Sequence, residues 1–147
     1  GDPEKECICP SHSIERYRSR LSGPILDRID IFIQVPRVKI GELENGKTQK
    51  TTAELVHIVE SVRLLQKERF AGTSLHRNAE MSNVDIDTYA QISEEARKIA
   101  ISSTEKLNLS TRVYYRILRV SRTIADLESS PFVEVRHILE ALSYRGS

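Results

Sequence analysis

Ser110-Thr111-Arg112-Val113-Tyr114-Tyr115-Arg116-Ile117-Leu118-Arg119-Val120-Ser121-Arg122-Thr123-Ile124-Ala125-Asp126-Leu127 carries the clearest periodicity in the chain. Val113, Ile117, Val120, Ile124 and Leu127 recur at the three- and four-residue spacing that lines one face of an α-helix, and Arg112, Arg116 and Arg119 mark the opposite face. Ser110 is of the type that caps a helix start, its hydroxyl accepting a backbone N–H of the first turn. A helix divided this way is stable only when its apolar face packs on other elements. A bundle of helices is the expected surrounding.

Downstream, Pro131 suits the opening of a last helix, in which Val135, Ile138, Leu139 and Leu142 point inward before the chain reaches Tyr144 and Arg145. Upstream, Ser93 to Leu107 repeats the helical spacing with Ala96, Ile99 and Ala100 inward. Residues 71–85 are rich in turn formers. Before them Thr51 and Glu54 make a capping box, and Leu55, Val56, Val59, Val62 and Leu65 carry an apolar stripe toward Phe70, which predicts a long helix. Residues 51–147 thus predict about four helices.

The first fifty residues have a different character. Ile14, Tyr17 and Leu21 share one face of a short helix from Ser11 to Leu21, with Arg16 and Arg20 on another face, and Gly23-Pro24 stops it. Ile29-Asp30-Ile31-Phe32-Ile33-Gln34-Val35 is dense in β-branched residues and ends at Pro36, which predicts a strand. A lone strand cannot satisfy its own backbone, so this one is expected to belong to a sheet completed elsewhere. Residues 38–50, with Gly41, Asn45 and Gly46, have the composition of a linker. The expected fold is mainly α: a short helix and one strand in residues 1–37, a linker, then the helical bundle.

With 147 residues the chain is long enough to bury roughly 68–70% of its unfolded surface. Apolar residues make up 39% and there is no Trp, so Ile, Leu, Val and Ala must build the core. A net charge of +1 provides no overall pull on nucleic acid or membrane, and any basic surface must be local. No apolar run reaches the roughly 18 residues of a membrane span, and no basic-then-apolar leader pattern opens the chain, so a soluble, cytoplasmic protein is expected. Cys7 and Cys9 stand one residue apart, too close for an unstrained disulfide and too few for a four-ligand metal site.

Two arginines invite chemistry. Arg28 precedes the predicted strand on a tight turn, where it either pairs with Asp27, Asp30 or a helix end, or is held outward as a donor for a neighbour's phosphate. Arg112 follows the cap at Ser110, where it is either an ordinary solvated side chain or sits beside first-turn N–H groups that favour anions.

Longer strings carry a specific resemblance. Residues Tyr17-Arg18-Ser19-Arg20-Leu21-Ser22-Gly23-Pro24-Ile25-Leu26-Asp27-Arg28-Ile29-Asp30, with Val35-Pro36 after them, resemble the magnesium-chelatase-like AAA+ ATPases of the ComM/YifB type. Arg63, Gln66 and Arg69-Phe70 match that family's "R..Q..RF" segment, and Asn78-Ala79-Glu80-Met81 its "NA.M" turn. Leu109-Ser110-Thr111-Arg112 with Arg116 to Leu127 matches its lid helix, and His137 to Arg145 its terminal helix. The resemblance covers nearly the whole chain, in order.

It implies that residues 1–37 are the end of an AAA+ α/β core and 51–147 the helical lid. Arg28 then takes the arginine-finger place, reaching the γ-phosphate of ATP on an adjacent subunit, and Arg112 the sensor-2 place, binding the nucleotide. Both answer one need: charge on transferring phosphoryl oxygens must be met by fixed donors. The chain has no G-x-x-x-x-G-K-[ST] loop and no strand ending in paired acids for magnesium. The family places both upstream, so ATP and Mg²⁺ are expected as cofactors of a longer protein, with neither bound nor hydrolysed by this chain alone.

The same resemblance makes Cys7 and Cys9 half of a four-cysteine zinc cluster, unfilled here, with His12 either a third ligand or a solvated side chain; His137 reads as a core or capping residue. The expected partners are further copies of the chain in a hexameric ring and, through that ring, DNA in helicase, branch-migration or competence work. Arg116 and Arg119 are the candidate nucleic-acid contacts, although Asp126 shares their face and no aromatic residues interleave to stack bases. Two other readings stand beside the motor: a helical nucleic-acid-binding module acting alone, and an oligomerisation module.

Overall fold

The computed structural model describes residues 8–19, 28–35 and 50–145, which fall into two compact units divided between positions 47 and 48. In the first unit, helix α1 (Ser11–Arg18) starts at Pro10, whose carbonyl accepts the Ser13 N–H at 2.9 Å, and ends where Ser19 Oγ donates to the Arg16 carbonyl at 3.0 Å. Ile14 is half-buried and Tyr17 exposed. The rest of the predicted helix, with Leu21, Arg20 and the Gly23-Pro24 stop, lies outside the described residues, as do Cys7, Pro36, Arg37 and residues 38–49 of the predicted linker.

Residues 28–35 correct the expectation of a strand. They form no ladder with any described residue, and Ile29, Ile31, Ile33 and Val35 are all exposed. Strand identity needs a second strand to take up its N–H and C=O groups, and none of the described residues supplies one.

The second unit is helical: α2 (Thr52–Arg69), a 3₁₀ turn (Asn78–Glu80), α3 (Asn83–Tyr89), α4 (Glu94–Lys106), α5 (Thr111–Leu127) and α6 (Val135–Ser143). Each start has a local cause. Thr51 and Glu54 cap α2 reciprocally, Ser82 and Asp85 do the same for α3, and the Ser93 hydroxyl accepts the Ala96 N–H ahead of α4. After α4 and α5 the backbone passes through left-handed residues, Asn108 at φ 49 and Ser129 at φ 55. There Leu109 N–H reaches the Thr104 carbonyl at 2.9 Å and Ser130 N–H reaches that of Ala125 at 2.8 Å, which satisfies carbonyls the helix ends would leave open.

Five α-helices thus stand where about four were expected. The addition is α3, whose start falls at the end of the turn-rich residues 71–85, where Ser82-Asn83-Val84-Asp85 resembles a turn until its capping box is noticed. The last helix begins at Val135 rather than at Pro131. Val133 N–H donates to the Gln91 carbonyl and Ser93 N–H to the Val133 carbonyl, both at 3.0 Å, so Ile92 and Val133 form a parallel bridge that holds the chain extended until Glu134. Glu134 and His137 then cap α6, with Glu134 N–H donating to His137 Nδ1 at 2.9 Å.

Helix α5 is the centre, packing against every other helix of the unit and against the 3₁₀ turn. Its buried residues include Val113, Ile117, Leu118, Ile124 and Ala125. Ala96 and Ala100 of α4 and Ala141 of α6 are buried beside it, small enough to let backbones approach. Phe70, at the end of α2, closes the cluster edge-on to Tyr89, with ring centroids 5.5 Å apart. Six expected inward residues turn out otherwise: Leu127 and Leu139 are exposed, and so are Leu55, Val56, Val59 and Leu65 of the α2 stripe. Only the last turns of α2 enter the core, through Gln66 and Phe70.

What draws that end of α2 in is polar. The Asp126 carboxylate, wholly buried, accepts two hydrogen bonds from the Arg69 guanidinium, one from Asn78 Nδ2 at 2.7 Å, one from Gln66 Nε2 at 3.3 Å and one from Arg122 Nε at 3.0 Å. Arg122, buried beside it, donates on to the carbonyls of Ala90, Pro131 and Ser130 at 3.3, 2.9 and 2.6 Å. Asn78 N–H meets Gln66 Oε1 at 3.2 Å, and Asn78 Nδ2 also reaches Thr123 Oγ1 at 3.1 Å. No buried side-chain polar atom among the described residues lacks a partner. One carboxylate therefore ties α2, the 3₁₀ turn, α5 and the 128–131 loop together.

Burial disfavours the charge on Asp126, but the hydrogen bonds from Arg69 and Asn78 and the positive charges of Arg122 and Arg69 outweigh it, so its carboxyl is held below the usual carboxylate range. Burial likewise lowers Arg122, against the pull of Asp126. Removing the carboxylate leaves two arginines uncompensated, so Asp126→Ala is expected to cost about 3–5 kcal/mol, a large part of the stability of such a domain. Urea unfolding reads it, and an unchanged midpoint would contradict this account of the core. Because the folded Asp126 titrates below its unfolded value of about 3.9, its contribution is present above that pH and disappears as pH falls further. Urea midpoints measured from pH 6 to pH 3 should therefore drop steeply only below about pH 4.

Candidate functional site

The N-terminal end of α5 is chemically unlike its buried C-terminal end. Ser110 is extended, at φ −71 and ψ 155, and its hydroxyl accepts the Val113 N–H at 3.4 Å. Thr111 and Arg112 in the first turn are exposed. Helices α2, α3 and α4 each place an acid in the first turn, Glu54, Asp85, and Glu94 with Glu95, where it complements the positive end of the helix dipole. The first turn of α5 has none. Arg112 makes no ion pair with the described residues, so a guanidinium and first-turn N–H groups of one polarity stand together at the surface. Such a combination can take an oxyanion.

Arg28 is exposed, at a turn immediately ahead of residues 29–35. Asp27 lies outside the described residues; Asp30 is exposed, and Arg28 makes no ion pair with it or with any other described residue. Arg28 and Arg112 belong to different units.

The arginine row expected on the outer face of α5 does not form. Arg116 is buried and engaged within the fold. Arg119 is half-buried, its Nη1 donating to the Met81 carbonyl at 3.2 Å. A central helix packed from several sides has too little open face for a row of solvated cations. Asp126, on the same stretch, is the buried hub described above. Cys9 is exposed, and His12 is exposed on α1. His137 is fully buried, its Nδ1 capping α6 and its Nε2 lying 3.0 Å from Glu128 Oε2, a structural histidine. No group of three or more metal-ligating side chains occurs among the described residues, and no described helix is long and apolar enough to cross a membrane.

In the sequence Gln66, Arg69, Asn78 and Arg122 stand only as letters of the family strings, and Asp126 only as an acid on the face of Arg116 and Arg119. Their roles are structural. The available signal was Arg122 and Asp126, opposite charges four residues apart in a stretch of Leu118, Ile124 and Ala125.

Comparison with known proteins agrees with this architecture. Residues 49–145 match the family described as magnesium chelatase, subunit ChlI C-terminal, and residues 1–43 that described as magnesium chelatase, subunit ChlI. The chain is 41% identical over 134 residues to competence protein ComM of Haemophilus influenzae, covering 90% of this chain and 26% of that protein. It is 30% identical over 142 residues to the protein YifB of Escherichia coli, covering 94% and 27%, and 31% identical over 142 residues to YifB of Salmonella typhimurium, covering the same shares. The chain spans about a quarter of the length of these relatives. The match over residues 49–145 takes in most of the chain and its whole helical unit, and the chain belongs to the magnesium chelatase subunit ChlI C-terminal family.

Proposed function

We propose that this chain is the lid and arginine-finger portion of a ring-forming ATPase that works on DNA. In that assembly Arg28 meets the γ-phosphate of ATP held by the adjacent subunit, and Arg112 meets phosphate oxygens from the lid. Bound ATP with Mg²⁺ supplies the phosphoryl group; the two arginines supply fixed positive charge where charge is spread over the transferring oxygens. The observation that carries the reading is the first turn of α5, capped by Ser110, free of acids and presenting an exposed Arg112. Exposure of Arg28 suits a donor that acts outside its own unit. DNA as the polymer acted on draws support from the 41% identity to a competence protein. A stand-alone nucleic-acid module is the weaker reading, because Arg116 and Arg119 are taken up by the fold.

In the full-length ATPase, Arg28→Ala should lower ATP turnover by about 10³–10⁵, the range an arginine finger is worth, and Arg112→Ala should lower it strongly as well. Both variants should keep their oligomeric state in sedimentation, since neither side chain supports the fold. Wild-type turnover in either variant would remove that residue from the site, and loss of assembly with retained turnover would mark a purely structural role.

A further inference from the structure

Of the "R..Q..RF" residues, Gln66, Arg69 and Phe70 are spent inside the fold, whereas Arg63 is exposed and makes no ion pair with the described residues. Lys67, one turn later on the same face of α2, is exposed and equally unpaired. The two line an open cleft of about 480 Å³ with Gly72, Leu75, His76 and Arg77. Arg77 Nε donates to Glu80 Oε1 at 3.0 Å and His76 N–H to Glu80 Oε2 at 2.8 Å, so Arg77 is paired with a carboxylate while Arg63 and Lys67 are not. Gly72, at φ 81, turns the chain along the cleft, and a Cβ there would meet nothing within 4 Å, so the wall is open at that point.

Basic residues at a helix C-terminus often serve only the helix dipole, and Lys67 and Arg69 lie in the last turn of α2. Arg63 does not: it stands six residues before the last helical residue, Arg69, where the dipole term has faded. The cleft is also remote from Arg112. Arg69 is fastened to Asp126 at the far end of α5, fourteen residues beyond Arg112, or about 21 Å along the helix axis. We propose that the Arg63–Lys67–Arg77 cleft is a second anion site, taking the phosphate groups of a ligand other than the nucleotide at the Arg112 end. Guanidinium forks and an ammonium suit phosphate oxygens. Such phosphate groups are carried by a nucleic-acid strand or by a small polyphosphate, and the cleft is open enough to admit either.

Amide chemical shifts of the 147-residue chain, titrated separately with inorganic pyrophosphate and with a single-stranded oligothymidylate at low and moderate salt, test this directly. The amides of Gly72, His76 and Arg77 should shift with at least one probe, and Arg63→Gln with Lys67→Gln should weaken that binding at least tenfold. Lys98→Gln, an exposed change on α4, should leave it unaltered, and the double variant should keep the wild-type urea midpoint. Response to pyrophosphate identifies a small polyphosphate ligand; response to the oligonucleotide alone identifies a strand, and there the double variant should also reduce the salt slope by about 1.4. If neither probe moves these amides, or the double variant binds as wild type does, the proposal is wrong.

Discussion

The helical unit depends on one buried carboxylate. Asp126 is closed to solvent, and a bare charge there would be prohibitive without the donors that surround it. Those donors come from Gln66 and Arg69 on α2, from Asn78 in the 3₁₀ turn and from Arg122 on α5 itself, so satisfying the charge and assembling the tertiary structure are one event. Apolar packing alone would not specify this arrangement. Much of the apolar surface of α2 is exposed, and hydrophobic contact would allow that helix other positions. The polar hub selects one of them, because any other deprives Asp126 of the donors on Gln66 and Arg69.

The hub also explains the asymmetry of α5. Its last two turns are tied on several sides: Arg122 spans to the Ala90, Ser130 and Pro131 carbonyls, and Arg119 to that of Met81. Its first turn carries the Ser110 cap, the buried Val113 and the exposed Arg112. Val113, Arg116, Ile117 and Leu118 hold the helix in the core between its two ends, so whatever meets Arg112 is connected through about 21 Å of packed helix to the loops around Asp126. Force or displacement at the tip has somewhere to go.

Much of this was legible in the sequence, for identifiable reasons. The periodicity of residues 110–127 and the Thr51–Glu54 box are local signals, and both helices are present. Helix α3 is only seven residues long, too short to establish a period, and its capping box was obscured by neighbouring turn formers. The delayed start of α6 depends on the Ile92–Val133 bridge, a contact between residues forty-one apart that no local pattern announces. The strand expected at 29–35 failed differently: its composition is strand-like, but strand formation is a property of pairs.

The charged residues were hardest to read, and the difficulty is physical. An arginine on an amphipathic helix looks the same in sequence whether water, a carboxylate or a carbonyl receives it. Arg112, Arg116, Arg119 and Arg122 fall within eleven residues of one helix, yet only Arg112 is exposed, and Arg122 is buried as deeply as any leucine of the core. What separates them is where α5 meets its neighbours, and that is decided by the demand of Asp126 for donors. Placing a buried acid therefore precedes interpreting any arginine near it. Once Asp126 claims Arg69 and Arg122, the arginines left facing solvent, Arg63 and Arg112 in this unit among them, are the ones whose charge is available to a partner outside the fold.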